Sequence, residues 1–297
     1  MTASTEVIAQ QPTTLWRDYL QLTKPRITFF CLLMTLGGIA LAPESMPWFS
    51  IAATLIGTAF SVGAANTLNM YWERETDKLM KRTALRPLAT GRLKAHCALI
   101  FSVILAAASV LTLGIWVNWL TSGLSLFALL SYVFVYTPLK RVTPHALLIG
   151  AVPGAMPPLM GWTAATGEIS FPGLVLFAIL LIWQIPHFIA ISVNHQADYQ
   201  NAGIKTWPGE RGLRPATIQA LTYSLILLPV SLLLLRTGLA SYIYGITATA
   251  LGLWMIVLSS RGFNPSKYSL WARQLFFASL VYLPLLTVGL AVDVLLK

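Results

Sequence analysis

Charged residues are scarce in this sequence of 297 residues, of which Asp, Glu, Lys and Arg together make up only 10%. Soluble domains carry roughly 25% charged residues, whereas hydrophobic residues here reach 56%. A soluble fold with so few polar side chains would leave a largely apolar surface in contact with water. The composition therefore excludes an ordinary soluble enzyme and indicates a protein whose solvent is largely lipid.

Cysteine and acidic residues are also few. Cys31 and Cys97 form neither a zinc motif nor a disulfide framework, and we interpret them as small apolar side chains. Only 10 Asp and Glu stand against 20 Lys and Arg, so the formal net charge is +10. Because the basic residues lie in short loops between apolar runs, this excess is typical of membrane topology and argues against a nucleic-acid partner.

Residues 1–14 lack both the apolar core of a signal peptide and the arginine excess of a mitochondrial transit peptide. We therefore expect a multi-pass protein of a bacterial inner (cytoplasmic) membrane. An organellar protein whose presequence has been removed is the alternative.

Apolar runs long enough to cross a bilayer, about 20 residues each, recur along the chain and do not alternate as barrel strands would. The sequence predicts an all-α polytopic bundle around a central cavity, with residues 1–26 as a cytoplasmic segment and 27–297 as one membrane domain. Long cytoplasmic loops are expected at 69–94 and 192–215. Nine transmembrane helices are predicted, at 27–43, 47–68, 95–113, 115–136, 145–165, 171–191, 216–235, 239–259 and 271–294.

The basic residues are divided very unevenly between the two ends of these spans. Of the 20 Lys and Arg, only Arg236 and Lys297 fall on the side opposite the long loops. Positive residues collect in cytoplasmic loops, so the N-terminus and both long loops are predicted to be cytoplasmic. A missed or false helix would scramble this asymmetry, which therefore supports the count of nine.

The first chemical motif directly follows the second predicted helix. Asn69, Glu73 and Asp77 are spaced by four residues and would share one face if that helix continues. Two carboxylates about 6 Å apart repel by roughly 3 kcal/mol at an effective dielectric near 20, and basic neighbours or a divalent cation would relieve that repulsion. Oxygen ligands favour Mg²⁺, which substrate phosphates usually complete. A solvated loop with internal ion pairs is the alternative.

A second polar segment lies at the cytoplasmic end of the sixth predicted helix. Asn194 and Asp198 are again four residues apart, so Asp198 could hold a second metal ion; a solvated loop is the alternative. His187 lies within that helix, where polar side chains tend to face the bundle interior. A histidine there suits ligation of haem iron or proton transfer, with a hydrogen-bonded packing histidine as the alternative. We also expect Gly37, Gly38 and Gly57 to allow close helix packing.

Together these motifs resemble a known family. The run from Asn69 to Leu88 resembles the first aspartate-rich motif of the UbiA superfamily of intramembrane prenyltransferases. Within that superfamily the best match is to the protoheme IX farnesyltransferases, and it rests on four further segments: Thr23-Lys24-Pro25-Arg26, Tyr136-Thr137 with Lys140-Arg141, Gly154 to Trp162, and Trp183-Gln184-Ile185-Pro186-His187-Phe188 followed by Asp198-Tyr199.

The resemblance implies a Mg²⁺-dependent transfer of farnesyl from farnesyl diphosphate to a vinyl group of haem B, which gives haem O for haem-copper oxidases. Haem A synthase or oxidase assembly factors are the implied partners. Carried over by position, His187 would bind haem, and Asn69, Glu73, Asp77 and Asp198 would be catalytic. The same four residues and Asn194 would hold the metal. The implied diphosphate-binding cations are Arg26, Lys81, Arg82, Arg86, Lys140 and Lys205.

Two other functions are considered. An aromatic acid acceptor, as in quinone biosynthesis, is disfavoured by the Trp183–Phe188 segment and by Met70, because many quinone-pathway members have Asp at the position of Met70. A transporter or haem carrier is disfavoured because the sequence shows no clear inverted repeat and its acids cluster at one membrane face.

Overall fold

The structure is a computed structural model that describes residues 15–264 and 268–296. Residues 1–14 of the predicted N-terminal segment lie outside the described residues, as do Lys267 and Lys297 of the charge count. Within the described ranges the regular elements are helices, which confirms the predicted all-α class.

The helices are named α1 to α12 in chain order. They are α1 Leu15–Leu22, α2 Pro25–Leu41, α3 Trp48–Asp77, α4 Ala95–Trp116, α5 Trp119–Leu139, α6 Ala146–Thr166, α7 Phe171–Asn194, α8 Gln196–Asn201, α9 Trp207–Arg211, α10 Leu213–Thr237, α11 Tyr242–Phe263 and α12 Tyr268–Leu295. In the described chain, eight are long and apolar enough to cross a membrane, and a ninth span results if α1 and α2, bent by 47°, count as one. This agrees with the nine predicted spans.

The first long loop is shorter than predicted. Residues 69–77 of the expected loop 69–94 continue α3 as regular helix. Hydropathy predicts only where a helix leaves the lipid. Helix α3 continues past that point, and its polar last turns line a cavity. The second predicted loop, 192–215, likewise contains the end of α7 and the short helices α8 and α9.

The helices pack as two groups joined by α6. Helices α2 to α5 form one group, and α7 with α10, α11 and α12 forms the other. The largest hydrophobic core lies in the second group, and several buried polar side chains there form hydrogen bonds. Trp271 Nε1 donates to the Leu258 carbonyl oxygen at 3.0 Å, and Tyr282 shares a 2.8 Å hydrogen bond with Ser231. Such pairing is expected where no water competes for polar groups.

Helices α2 and α6 approach each other very closely, and glycine makes this possible on both sides. A Cβ atom on Gly38 would lie 2.1 Å from the Pro158 carbonyl oxygen, and one on Gly161 would lie 1.9 Å from the Thr35 carbonyl oxygen. The expected packing role is thus confirmed for Gly38, and Gly57 likewise lies against Leu113. Gly37 instead faces open space, with nothing within 4 Å of its ideal Cβ position.

We predict that Gly38→Ala destabilises the protein by about 1–3 kcal/mol, because the added methyl group meets rigid backbone. Gly37→Ala is the matched control on the adjacent residue and should not lower stability. Thermal unfolding of the two purified variants in detergent measures the difference. Equal midpoints for both variants would show that the α2–α6 contact is not tight.

Candidate functional site

A cavity of about 950 Å³ lies between the two groups of helices. Its walls come from α2, α3, α5, α6, α7 and α12. One end carries charged side chains, and the rest is largely apolar, with lining residues that include Leu36, Ala40, Met160, Leu280 and Leu283. A cavity of this kind fits a long apolar ligand with a charged head group.

The polar face of α3 forms one wall at the charged end. Asn69, Glu73 and Asp77 all line the cavity, as their four-residue spacing on a continuous helix requires. Each is bound by one cation from a different segment: Lys24 Nζ donates to Asn69 Oδ1 at 3.2 Å, Lys140 Nζ to Glu73 Oε1 at 2.9 Å, and Arg86 Nη1 to Asp77 Oδ2 at 2.8 Å. We call these six residues the α3 cluster.

These ion pairs are largely withdrawn from water. The Asp77 side chain is 1% exposed, and the Glu73 and Lys140 side chains are 12% and 15% exposed. Burial acts to lower the pKa of Lys140, but Tyr136 and Glu73 outweigh it and hold that pKa above its ordinary value, so the ammonium group is charged. A buried carboxylate without such a partner would be costly. The cations therefore allow α3 to carry acids at the edge of the apolar cavity.

Lys24 reaches the cluster through a sharp break between α1 and α2. Its backbone is left-handed, with φ 48° and ψ 70°, a conformation that non-glycine residues adopt at a cost and that is concentrated at functional sites. Pro25 follows at the start of α2 and disfavours helical geometry in the residue before it. The break turns Lys24 toward Asn69, while Arg26 is exposed on the first turn of α2.

The end of α5 supplies aromatic rings that the sequence did not single out as site residues. Residues Ser131–Tyr136 form a π-helical turn, a feature often found at functional sites. Tyr132 and Tyr136 both line the cavity, and Lys140 Nζ lies 4.6 Å from the centre of the Tyr136 ring. Tyr132, Tyr136 and Lys140 are spaced by four residues, which brings the two rings and Lys140 to the same wall.

The segment after α7 lies at the cavity mouth. Arg82 Nη2 donates to the Tyr199 hydroxyl at 2.8 Å, which joins the loop after α3 to α8. The Lys205 backbone N–H donates to the Lys140 carbonyl oxygen at 2.8 Å, so the chain before α9 is tied to the end of α5. Arg82, Lys205 and Trp207 line the cavity here.

The predicted site residues divide into two sets. The structure brings together eight of them along one cavity: Asn69, Glu73, Asp77, Arg82, Arg86, Lys140, His187 and Lys205. Four others are not among the described residues that line it: Arg26, Lys81 and Asn194, which are exposed, and Asp198, which is partly exposed. Lys24, from the same Thr23-Lys24-Pro25-Arg26 motif, does line the cavity, and the role predicted for Arg26 stays a prediction.

The oxygen atoms of the α3 cluster suit a magnesium ion only with help from a ligand. Among the described residues, no three His, Cys, Asp or Glu side chains form a ready metal site. Asn69, Glu73 and Asp77 offer one amide and two carboxylates on a single face, and Mg²⁺ commonly takes one or two carboxylates together with substrate phosphates. The donor set therefore fits a metal that arrives with a phosphorylated substrate.

His187 lies farther inside the same cavity. It precedes Asn194 by about two turns of α7, roughly 10 Å along the helix axis. Its ring stacks on Trp183, with centroids 4.9 Å apart, and on Phe276, with centroids 5.2 Å apart. The charged mouth and this histidine thus share one enclosed space.

Comparison with known sequences identifies related proteins. The model of the UbiA prenyltransferase family matches residues 31–281. A protoheme IX farnesyltransferase from Myxococcus xanthus (strain DK1622) is 45% identical over 285 residues, which cover 96% of this chain and 97% of the relative. Another, from Sorangium cellulosum (strain So ce56), is 46% identical over 256 residues, covering 86% of this chain and 91% of the relative.

Solved structures share the fold at low sequence identity. A UbiA homolog from Archaeoglobus fulgidus bound to GPP and Mg²⁺ has a TM-score of 0.65 and 18% identity, covering 92% of this chain and 99% of that one. A structure from work on digeranylgeranylglyceryl phosphate synthase has a TM-score of 0.81 and 15% identity, covering 95% and 99%. At these identities the likeness shows the fold alone.

We predict that Lys140→Met lowers the free energy of unfolding by about 2 kcal/mol, because Glu73 would keep a buried charge without its partner. The double variant Glu73→Gln/Lys140→Met should recover most of that loss. Lys78→Met, which breaks the exposed pair with Glu75, is the control and should leave stability unchanged. Thermal unfolding in detergent measures all three, and a double variant as unstable as Lys140→Met alone would contradict the coupling.

Proposed function

Because the chain belongs to the UbiA prenyltransferase family, we propose that it transfers the farnesyl group of farnesyl diphosphate to a vinyl carbon of haem B and so makes haem O. One observation carries the proposal: a single cavity joins a cationic mouth, an apolar interior and His187. The relatives named protoheme IX farnesyltransferase, 38–46% identical over most of the chain, support the choice of haem B as acceptor.

The cations at the mouth would bind the diphosphate. Lys24, Arg86 and Lys140 surround the α3 face, and Arg82 and Lys205 lie farther out at the mouth. Such preorganised positive groups stabilise the charge that grows on the diphosphate as the bond between farnesyl C1 and its oxygen breaks. Arginine can bind phosphate oxygens in a bidentate manner, whereas lysine acts as a point charge.

Asn69, Glu73 and Asp77 would hold Mg²⁺ beside the diphosphate. When bound, the ion supplies further neutralisation of the leaving group. A UbiA homolog bound to GPP and Mg²⁺ supports this choice of metal. We propose that Asp198 completes the site when substrate is present, since the Arg82–Tyr199 contact joins α8 to the loop that follows α3. The role of Asn194 as a metal ligand stays a prediction.

The apolar interior would protect the reaction from water. An allylic cation remains after the diphosphate leaves, and the rings of Tyr132 and Tyr136 near the charged end can stabilise a cation. A vinyl carbon of haem B then forms the new C–C bond. Water adds to the resulting cation and loses a proton, which leaves the hydroxyl group of haem O. Excluding water until that step prevents simple hydrolysis of farnesyl diphosphate.

The protein is a multi-pass membrane protein, and we propose that its mouth and N-terminus face the cytoplasm of a bacterial inner membrane. The support is the concentration of Lys and Arg at the mouth side of the bundle. The product would serve haem-copper oxidases, with haem A synthase or oxidase assembly factors as partners that receive it.

We predict that Asp77→Asn lowers haem O formation by about 100-fold or more, in line with the loss of one electrostatic group in a preorganised site. The assay supplies farnesyl diphosphate, haem B and Mg²⁺ to washed membranes and measures haem O by mass spectrometry. Glu75→Gln is the matched control, because Glu75 lies on the same turn but its side chain is 69% exposed. Full activity of Asp77→Asn at normal membrane levels would reject the role of Asp77.

Chelation should distinguish the contribution of the metal ion to activity from that of the Lys and Arg side chains. We predict that EDTA abolishes haem O formation and that added Mg²⁺ restores it, while thermal stability without substrate is unaffected because the cations already neutralise α3. Asp198→Asn should also lose activity and need more Mg²⁺ for half-maximal rate. An unchanged Mg²⁺ requirement in Asp198→Asn would confine the metal site to α3.

A further inference from the structure

Three contacts fix the imidazole ring of His187. Trp183 and Phe276 both stack on it, with interplanar angles of 17° and 24°. The third contact joins His187 Nδ1 to Ser279 Oγ on α12, at 2.8 Å. The stacking contacts limit the tilt of the ring, and the hydrogen bond limits its rotation within the ring plane. His187 itself lines the cavity.

The hydrogen bonds of Ser279 determine which nitrogen of His187 carries the proton. A serine hydroxyl has one hydrogen to donate, and a backbone carbonyl can only accept. Ser279 Oγ lies 2.6 Å from the Phe276 carbonyl oxygen, to which it donates its hydrogen. Toward His187 the same oxygen can then only accept, so His187 Nδ1 must be the protonated nitrogen. The lone pair of the neutral ring is therefore on Nε2, which has no hydrogen-bond partner among the described residues.

The backbone of Ser279 is held as firmly as its side chain. Trp183 Nε1 donates to the Ser279 carbonyl oxygen at 2.9 Å, so Trp183 both stacks on His187 and anchors the residue that orients it. Ser279 itself is fully buried, at 0% exposure. The group formed by these three residues and Phe276 ties α7 to α12.

We propose that Ser279 is a positioning residue that holds His187 in the Nδ1–H tautomer, so that Nε2 can bind the iron of the haem acceptor. The inference rests on the proposed function, because it assumes that the acceptor is a haem. Histidines that bind metals commonly donate their other ring N–H to a neighbouring oxygen, and loss of that neighbour typically costs 10–100-fold in metal affinity. Ser279 would act on the acceptor only through His187.

The test compares two ligands that differ only in iron. Purified full-length protein in detergent is titrated with ferric haem B, followed by its Soret band, and with metal-free protoporphyrin IX, followed by fluorescence. We expect Ser279→Ala to weaken haem binding at least 10-fold and to alter the Soret band, with unchanged protoporphyrin affinity. Ser279→Thr, which keeps the hydroxyl group, should behave as wild type. Ser224→Ala is the matched control, since Ser224 is equally buried but pairs with Ser259 away from the cavity.

Equal losses for haem and protoporphyrin in Ser279→Ala would make Ser279 a purely structural residue and overturn the inference. The inference would also be overturned if Ser279→Ala bound haem with wild-type affinity while His187→Ala had lost the absorption spectrum of nitrogen-ligated haem. If the wild-type protein bound no haem at all, the proposed acceptor itself would be wrong. That failure is distinct, because it would be seen before any variant is compared.

Discussion

The pairing of the polar face of α3 with three cations is the interaction on which the rest of the site depends. Lys24, Arg86 and Lys140 come from three separate segments, and each bonds to one residue of the α3 face. The acids make it possible to gather these cations beside an apolar cavity, and the cations make it possible to bury the acids. A magnesium-bound diphosphate would satisfy both groups at once, because the ion suits the oxygens and the phosphates suit the cations.

The two groups of helices would then handle different parts of the reaction. The α2–α5 group carries the α3 cluster and the two tyrosines, which are the features that suit a prenyl diphosphate. The other group carries His187 and Ser279, which suit the haem. Close contact between α2 and α6 at Gly38 and Gly161 fixes one wall of the space between the groups. The reacting carbons would meet in that apolar space, away from both charged groups and bulk water.

Sequence reasoning was reliable where helical periodicity or the length of an apolar run decided the structure. Apolar run length located the spans, and four-residue spacing placed Asn69, Glu73 and Asp77 on one face. It was less reliable where conformation depended on contacts between segments. Arg26 was predicted as a site residue and Lys24 was not, because composition does not reveal the left-handed backbone that turns Lys24 toward Asn69. Tyr132 and Tyr136 were not predicted as site residues, because tyrosines near the end of an apolar span are also typical of the membrane interface. Ser279 gave no signal, since its role depends on contacts between α12 and α7.

The most direct measurement is a structure of the protein with Mn²⁺, as a detectable substitute for Mg²⁺, and the unreactive analogue farnesyl thiodiphosphate. We expect the anomalous signal of the ion next to Asn69, Glu73 and Asp77, with the diphosphate touching Lys24, Arg86 and Lys140 and the farnesyl chain in the apolar cavity. An ion and diphosphate bound elsewhere would contradict the proposed site, with the contacts Lys24–Asn69, Lys140–Glu73 and Arg86–Asp77 left intact.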